Sequence, residues 1–186
     1  MDTNEVKFDS ISSLDEYYGF EHLNPLVSVG HYDGAHRPGI TAYTYGIYAV
    51  FIKETKGCAL NYGLTRYDFD EMSVVSFAPG QKVSSVVEEG AELPRWTVLA
   101  FHPDLLARTA LGRRMSAYGF FSYNSNEALH LSKEEVQLLS AVLSLIEKEM
   151  RHAIDRLGFE YPQHFVRFFK RRTGRTPKEY RTISLN

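Results

Sequence analysis

Five short runs rich in strand-forming residues lie between Ile40 and Phe101, and they restrict the possible folds more than any other feature of the sequence. Turn residues separate the runs at intervals of about ten residues, a spacing typical of a β-sandwich or a small β-barrel. Strand alternation would then send every second side chain inward. The runs are Ile47–Ile52, Cys58–Tyr62, Met72–Ala78, Gln81–Val87 and Trp96–Phe101.

The first forty residues carry weaker and less regular signals. We expect a short helix around Asp15–Tyr18 and a strand within Asn24–Val29. Glycines and a proline predict a loop over Gly30–Gly39.

The clearest helix runs from Leu131 to Arg151. Ser132 followed by Glu135 has the form of a capping box. Apolar residues then recur at alternating spacings of three and four, which is the period of a coiled-coil seam. Such a stripe can pack on its own β domain or form a homodimer interface, and the sequence leaves both open. Its members are Val136, Leu139, Leu143, Ile146 and Met150.

Composition narrows the class of protein. The chain has 186 residues, 44% of them apolar and 24% charged, which is enough for a core and argues against wholesale disorder. No apolar run approaches the ~18 residues of a membrane span, and the acidic start Met1–Glu5 is unlike a secretory signal. The single cysteine, Cys58, suggests a reducing compartment. We therefore expect a cytoplasmic protein that does not contact a membrane.

The net charge of −2 hides an asymmetry. Residues 1–150 carry a balance of −8, whereas residues 151–186 carry +6. A basic tail on an acidic body suits polyanions, although a solvated helical face would give the same balance. The tail itself predicts two helices, the first ending at Gly174.

Short motifs at fixed spacing fill the last thirty residues. Together they resemble the closing signature of the AraC family of transcription regulators, where this segment is the second half of the second helix-turn-helix and the final helix. The motifs are Leu157-Gly158-Phe159, Tyr161–Phe165, Phe169-Lys170, Thr173-Gly174, Thr176-Pro177 and Glu179–Arg181.

The body resembles the sensor domain of the same family, particularly its Bacteroidetes-type members. The segments that carry this resemblance are Asn24–Val29, Tyr67–Asp70, Val75–Gln81, Phe101–Leu106, Phe120–Tyr123 and Asn126–Ser132. It implies a mainly β fold with α: a cupin-like β-barrel or sandwich, then a dimerisation helix, then a short helical remnant of a helix-turn-helix domain. The implied ranges are 1–130 for the ligand sensor, 131–155 for the dimerisation or linker helix and 156–186 for the partial helix-turn-helix segment.

The chain departs from the family near Ala153–Leu157. The family's DNA-binding part holds two helix-turn-helix units, and here the first unit and most of the scaffold helix of the second are missing from the sequence. The chain therefore resembles an internally shortened member of the family.

The resemblance also implies which tail residues meet DNA. The helix over Tyr161–Arg172 would enter the major groove. Residues near its start would face base edges, and the later cations would contact phosphates. The base-facing set is Tyr161, Gln163, His164 and Arg167, and the phosphate-facing set is Lys170, Arg171, Arg172 and Arg175.

A small effector would occupy the interior of the sensor. Tyr48, Tyr62 and Trp96 are candidates for the wall of its cavity, with ordinary core packing as the alternative for each.

Enzymatic chemistry finds little support in the sequence. Metal-binding cupins place two histidines one residue apart on a strand, and no His-x-His occurs. His31, Asp33 and His36 lie close together in the predicted loop and could chelate a metal, but the glycines around them favour an exposed loop. No phosphate-binding loop or nucleophile motif is present. We expect no enzyme activity, no cofactor and no metal.

The sequence therefore predicts a ligand-responsive, homodimeric, DNA-binding regulator. The alternative is a truncated sensor or dimerisation module that binds a ligand or a partner chain but not DNA on its own.

Overall fold

The computed structural model describes residues 4–33, 39–54, 59–62, 65–67, 72–87, 95–121, 129–157, 166–167, 170–171 and 174–176. The chain divides into two compact units, residues 1–144 and residues 145–186. The division falls inside a helix, between residues 144 and 145.

The first unit is a mixed α/β arrangement of two sheets. Ten strands are described in chain order: β1 (Asn4–Phe8), β2 (Val27–Tyr32), β3 (Gly39–Tyr45), β4 (Tyr48–Lys53), β5 (Ala59–Tyr62), β6 (Thr65–Tyr67), β7 (Ser73–Phe77), β8 (Lys82–Val87), β9 (Trp96–Phe101) and β10 (Leu129–His130). Helix α1 (Ile11–Tyr18) follows β1, and helix α2 (Lys133–Leu157) follows β10. Short 3-10 turns lie at Pro103–Leu105, Gly112–Ala117 and Gly119–Phe121.

The strands form two separate five-stranded sheets, not a closed barrel, within the described residues. The order is β1-β3-β8-β5-β6 in the first sheet and β10-β7-β4-β9-β2 in the second. The expected barrel is thus replaced by the sandwich that was its alternative. Alternating inward side chains fit both architectures equally, because closure depends on pairing between edge strands, which the alternation does not encode.

The core lies between the inner faces of the two sheets. Burial alternates along β7, where Ser73, Val75 and Phe77 are buried and the residues between them are half-buried. Tyr45 of the first sheet stacks on Phe77 of the second, with ring centroids 4.8 Å apart. Tyr45 also meets Phe51 edge-on. These aromatic contacts join the two sheets into one hydrophobic core.

Helix α1 begins and ends with well-defined caps. The Ser10 hydroxyl accepts from the Ser13 amide at 3.1 Å, and the Ser13 hydroxyl in turn accepts from the Ser10 amide at 3.2 Å. Gly19 ends the helix in the left-handed conformation (φ 75°), which glycine adopts without a steric penalty. Ile11 and Leu14 are fully buried in the core.

Helix α2 confirms the predicted capping box. The Ser132 hydroxyl accepts from the Glu135 amide at 3.2 Å, and the Glu135 carboxylate accepts from the Ser132 amide at 2.8 Å. The helix continues to Leu157, beyond the predicted end at Arg151. It therefore runs without a break through residues 153–157.

The five predicted strands are confirmed to within one or two residues, but the N-terminal part differs from expectation. Strand β1 was not predicted, and β2 continues to Tyr32 through the first part of the predicted loop. Gly30 lies inside β2, where the ring of Phe20 covers it. A Cβ atom at this position would collide with that ring. The glycine in this case marks a close contact and not a turn.

Candidate functional site

Trp96 lies on the inner face of the second sheet, in a row that crosses four strands. Register places Ser73 beside Lys53, Lys53 beside Trp96, and Trp96 beside Tyr32. The indole ring is 4.8 Å from the ring of Tyr32, which it stacks upon, and 5.1 Å from Phe51. The residue is half-buried, so it forms part of an aromatic interior.

Lys53 is the charged residue in this row, and it lies beside the buried polar residue Ser73. It is only 1% exposed, and its position in β4 has the same parity as Phe51 and Ala49, which face the core. A charged residue at this point of the sequence is typical of a turn that follows a strand. Lys53 nevertheless lies two residues after Phe51, so its side chain is on the same inner face of β4. Burying an ammonium group costs free energy unless other groups pair with it or accept its hydrogen bonds. A buried lysine therefore limits which other side chains can lie around it.

Tyrosine hydroxyls add a second polar feature to the interior. Burial raises the pKa of Tyr18, Tyr43 and Tyr45 above the ordinary value for a tyrosine. These phenols therefore stay protonated over the ordinary pH range and present neutral hydroxyl groups.

A second predicted wall residue, Tyr48, is not brought together with Trp96. Tyr48 is on the opposite face of the second sheet, where it stacks on Phe101 at 5.0 Å and meets Phe121 at 4.9 Å. The parity of β4 explains this, because Tyr48 is one residue before the inward-facing Ala49. Tyr62 ends β5 opposite Thr65, and its side chain lies outside the described residues.

A polar cluster around Asp15 was not expected from the sequence. The Asp15 carboxylate is 1% exposed. It accepts a hydrogen bond from the Ser28 hydroxyl at 2.6 Å and lies 2.7 Å from His22 Nδ1. The other ring nitrogen of His22 lies 3.3 Å from the hydroxyl of Ser12. Desolvation raises the pKa of Asp15, although the hydrogen bonds from Ser28 and His22 oppose that effect.

The basic tail is described at four of its eight predicted DNA-contacting residues. Arg167, Lys170 and Arg171 have helical backbone, and all three are exposed. Gly174 stops the helix with a left-handed φ of 75°, and its amide donates to the Lys170 carbonyl at 2.8 Å, as predicted. Arg175 follows and is also exposed. The remaining predicted contacts, Tyr161, Gln163, His164 and Arg172, lie outside the described residues.

The predicted dimer stripe is the less exposed face of α2. Leu143 and Met150 are each 6% exposed, and the other members, Val136, Leu139 and Ile146, are half-buried. Leu138 and Leu145, by contrast, are more than 60% exposed. Two of the five stripe residues are therefore buried within a single chain, and the other three remain partly accessible.

The described residues contain no group of three His, Cys, Asp or Glu side chains able to hold a metal ion. His31 lies in strand β2, not in the predicted loop, with Nδ1 3.1 Å from the Thr97 hydroxyl. His36 is outside the described residues. In the part of the chain that the structure describes, neither helix combines the length and apolarity needed to cross a bilayer.

Comparison with known proteins adds no family assignment. No model of a known protein family matches the chain, and no curated protein shows significant similarity to it.

Proposed function

We propose that the chain is a ligand-responsive, DNA-binding transcription regulator of the AraC type. The observation that carries this proposal is the row of exposed cations on helical backbone, Arg167, Lys170 and Arg171, which ends at the left-handed Gly174. Lys170 and Gly174 belong to the tail motifs that resemble the family's closing helix-turn-helix signature, and Arg167 and Arg171 lie between those motifs.

The cations divide into two roles by their position along the helix, with Arg167 nearer its start. A guanidinium can bond two acceptors on the edge of guanine at once, which gives base discrimination, so Arg167 is assigned to base reading. Lys170 and Arg171 are assigned to phosphates, where they fix the register on the duplex and make affinity depend on salt.

The effector site of this proposal is the aromatic interior of a cupin-like sensor. Trp96 and Tyr32 offer flat, stacked aromatic surfaces. Such surfaces suit a small effector with an unsaturated group. Tyr48 is not part of this assignment because it faces away from the row.

Two copies of the chain are part of the proposal, since a dimer reads two half-sites. Sedimentation at tens of micromolar tests this directly. A monomer under those conditions would remove the homodimer from the proposal without affecting the assignment of the tail.

Binding to random-sequence duplex DNA at several salt concentrations tests the tail. We expect affinity to fall steeply as salt rises, because each neutralised phosphate contributes a slope of about −0.9. Lys170→Ala should reduce the slope by about one unit, whereas Lys82→Ala, an exposed lysine of the sandwich, should leave it unchanged.

One observation favours the truncated sensor as a second candidate. The sandwich has its own core within residues 1–144, so ligand binding there need not depend on the tail. The absence of any DNA binding even at ~50 mM salt would favour this candidate over the regulator.

A further inference from the structure

Three side chains at the start of the sandwich form a continuous hydrogen-bonded chain from a buried carboxylate to an exposed hydroxyl. Asp15 lies at one end, fully enclosed, and Ser12 at the other, exposed on the outer side of α1. His22 lies between them and bonds both, at 2.7 Å to Asp15 and 3.3 Å to Ser12. None of this chain is used by the proposed regulator function.

The chemistry of the three groups fixes the direction of the hydrogen bonds. An ionised carboxylate can only accept, so Nδ1 of His22 carries the proton that bonds Asp15. In the neutral ring Nε2 is then an acceptor, and it lies within reach of the Ser12 hydroxyl proton. This is the order of groups by which a carboxylate orients an imidazole that activates a serine.

Local structure holds the arrangement in place. Ser12 and Asp15 are three residues apart on α1 and therefore lie on neighbouring positions of one helix face. Gly19 reverses the chain, and the Phe20 amide bonds the Asp15 carbonyl at 2.8 Å, so that His22 returns beside the helix. The Ser28 hydroxyl of β2 bonds the second carboxylate oxygen at 2.6 Å and anchors Asp15 to the sheet.

The position of Ser12 near the start of α1 would also stabilise a negative charge that develops on a bound carbonyl oxygen. Ser12 is the second residue of α1, and the first amides of a helix have no acceptor within the helix. The Ser13 amide is engaged by Ser10, whereas the amides of Ile11 and Ser12 precede it in the first turn. The oxyanion that forms on a carbonyl group after attack by Ser12 would lie at the positive end of the helix dipole.

We propose that Ser12, His22 and Asp15 form a serine hydrolase site that cleaves small carboxylic esters. Ser12 Oγ attacks the ester carbonyl carbon while His22 Nε2 takes the hydroxyl proton. The bond to the alcohol oxygen breaks, and the alcohol leaves with that proton. Water then attacks the acyl-serine, giving up a proton to His22, and the carboxylic acid leaves as Ser12 regains its proton. Ser12 and His22 are the catalytic residues, and Asp15 and Ser28 are positioning residues.

Labelling with a fluorophosphonate probe tests the nucleophile without knowledge of the natural ester. The probe forms a bond between phosphorus and the serine oxygen, and it loses fluoride as His22 takes the hydroxyl proton. We expect one label per chain, located at Ser12 by mass spectrometry, and turnover of p-nitrophenyl acetate. Ser12→Ala should abolish both signals, and Ser140→Ala, which removes an exposed serine of α2, should change neither.

A second variant separates catalysis from a structural role of the cluster. His22→Asn retains an amide donor for Asp15 but has no base at the position of Nε2. We expect the variant to keep the wild-type melting temperature within a few degrees and to lose at least about a hundredfold in labelling rate, the contribution of a general base.

The proposal is overturned if the folded wild-type chain is labelled no faster than the urea-unfolded chain, or if Ser12→Ala and Ser140→Ala lose label equally. A His22→Asn variant that is labelled at the wild-type rate overturns it as well. None of these outcomes bears on DNA binding, so the hydrolase site and the regulator function fail independently.

Discussion

Helices α1 and α2 both begin with a capping box, but they differ in how much of their surface is buried. Each starts at a serine whose hydroxyl accepts from the amide three residues later, and each has a second side chain that bonds back to the serine amide. Helix α1 is only eight residues long, yet Leu14 and Asp15 on its inner side are almost completely buried. Helix α2 has 25 residues, and much of its described surface is exposed.

The carboxylates of the two helices show what this difference means physically. Burial raises the pKa of Asp15 in α1, whereas the amide and hydroxyl of Ser132 lower the pKa of the exposed Glu135 in α2. A short helix is therefore stabilised by what it packs against, and a long one depends more on its own local contacts. Substitutions and titrations in the two helices test this contrast.

Matched leucine truncations give the largest contrast. Leu14→Ala in α1 should lower the free energy of unfolding by about 2–5 kcal/mol, because Leu14 is fully buried and its loss leaves a cavity. Leu138→Ala in α2 should change it by less than about 0.5 kcal/mol, because that side chain is 67% exposed. Urea unfolding of both variants measures the difference. Equal losses would show that α2 is covered to the same degree as α1.

Removal of the Asp15 carboxylate should give the second-largest change in stability. Asp15→Ala should destabilise the fold by about 1–3 kcal/mol, because the buried Ser28 hydroxyl loses its acceptor. The double substitution of Asp15 and Ser28 by alanine should recover part of this loss, since no unpaired hydroxyl remains. If the double variant is simply the sum of the two singles, the bond between the two side chains contributes nothing.

The same carboxyl makes a pH prediction of definite sign. Its pKa is raised above 3.8 in the folded chain, so the folded state keeps a proton that the unfolded chain loses in that window. The contribution of Asp15 to stability is therefore greatest below the window and falls as the pH rises through it. We expect the stability of wild type relative to Asp15→Asn to decline from about pH 3 to pH 7. A rise over that range would contradict the raised pKa.

Loss of the capping serine should have more similar effects on the stability of the two helices. Ser10→Ala and Ser132→Ala each remove one hydroxyl acceptor at a helix start, at a cost of about 1 kcal/mol in a coupled fold. We expect the full cost at Ser10, since α1 belongs to the core. A smaller cost is expected at Ser132, where circular dichroism should show fraying of the first turn of α2. The reverse order would indicate that α2 is the more strongly coupled helix.

Titration of Glu135 gives the smallest effect. Its lowered pKa means that its stabilising bonds are present above the ordinary value and are lost as the pH falls through the lowered one. Carboxyl chemical shifts followed by NMR measure this. Ser132→Ala should return only part of the shift, because the bond from the Ser132 amide, which is the larger cause, remains. Full return would assign the shift to the hydroxyl.

The contrast also explains how much the sequence could predict. The strands around Trp96 and the capping box of α2 were predictable, because alternation and a serine–glutamate pair are local patterns. Lys53 was not among the predicted interior residues, because a charged residue at a strand end is typical of a turn, although it has the same parity in the strand as Phe51. The chain of Ser12, His22 and Asp15 could not be predicted, since it depends on a reversal at Gly19 that brings non-periodic residues together.

The regulator assignment rests on the tail, and its most direct test is selection of DNA by the full chain. The protein should be offered a pool of random duplexes at ~50 mM salt, and bound sequences should be amplified over several rounds. The account predicts enrichment of a defined motif that loses definition at one position in the Arg167→Ala variant, while Lys170→Ala weakens binding to all sequences alike. Recovery of duplexes with no common sequence, or no recovery at all, would contradict it.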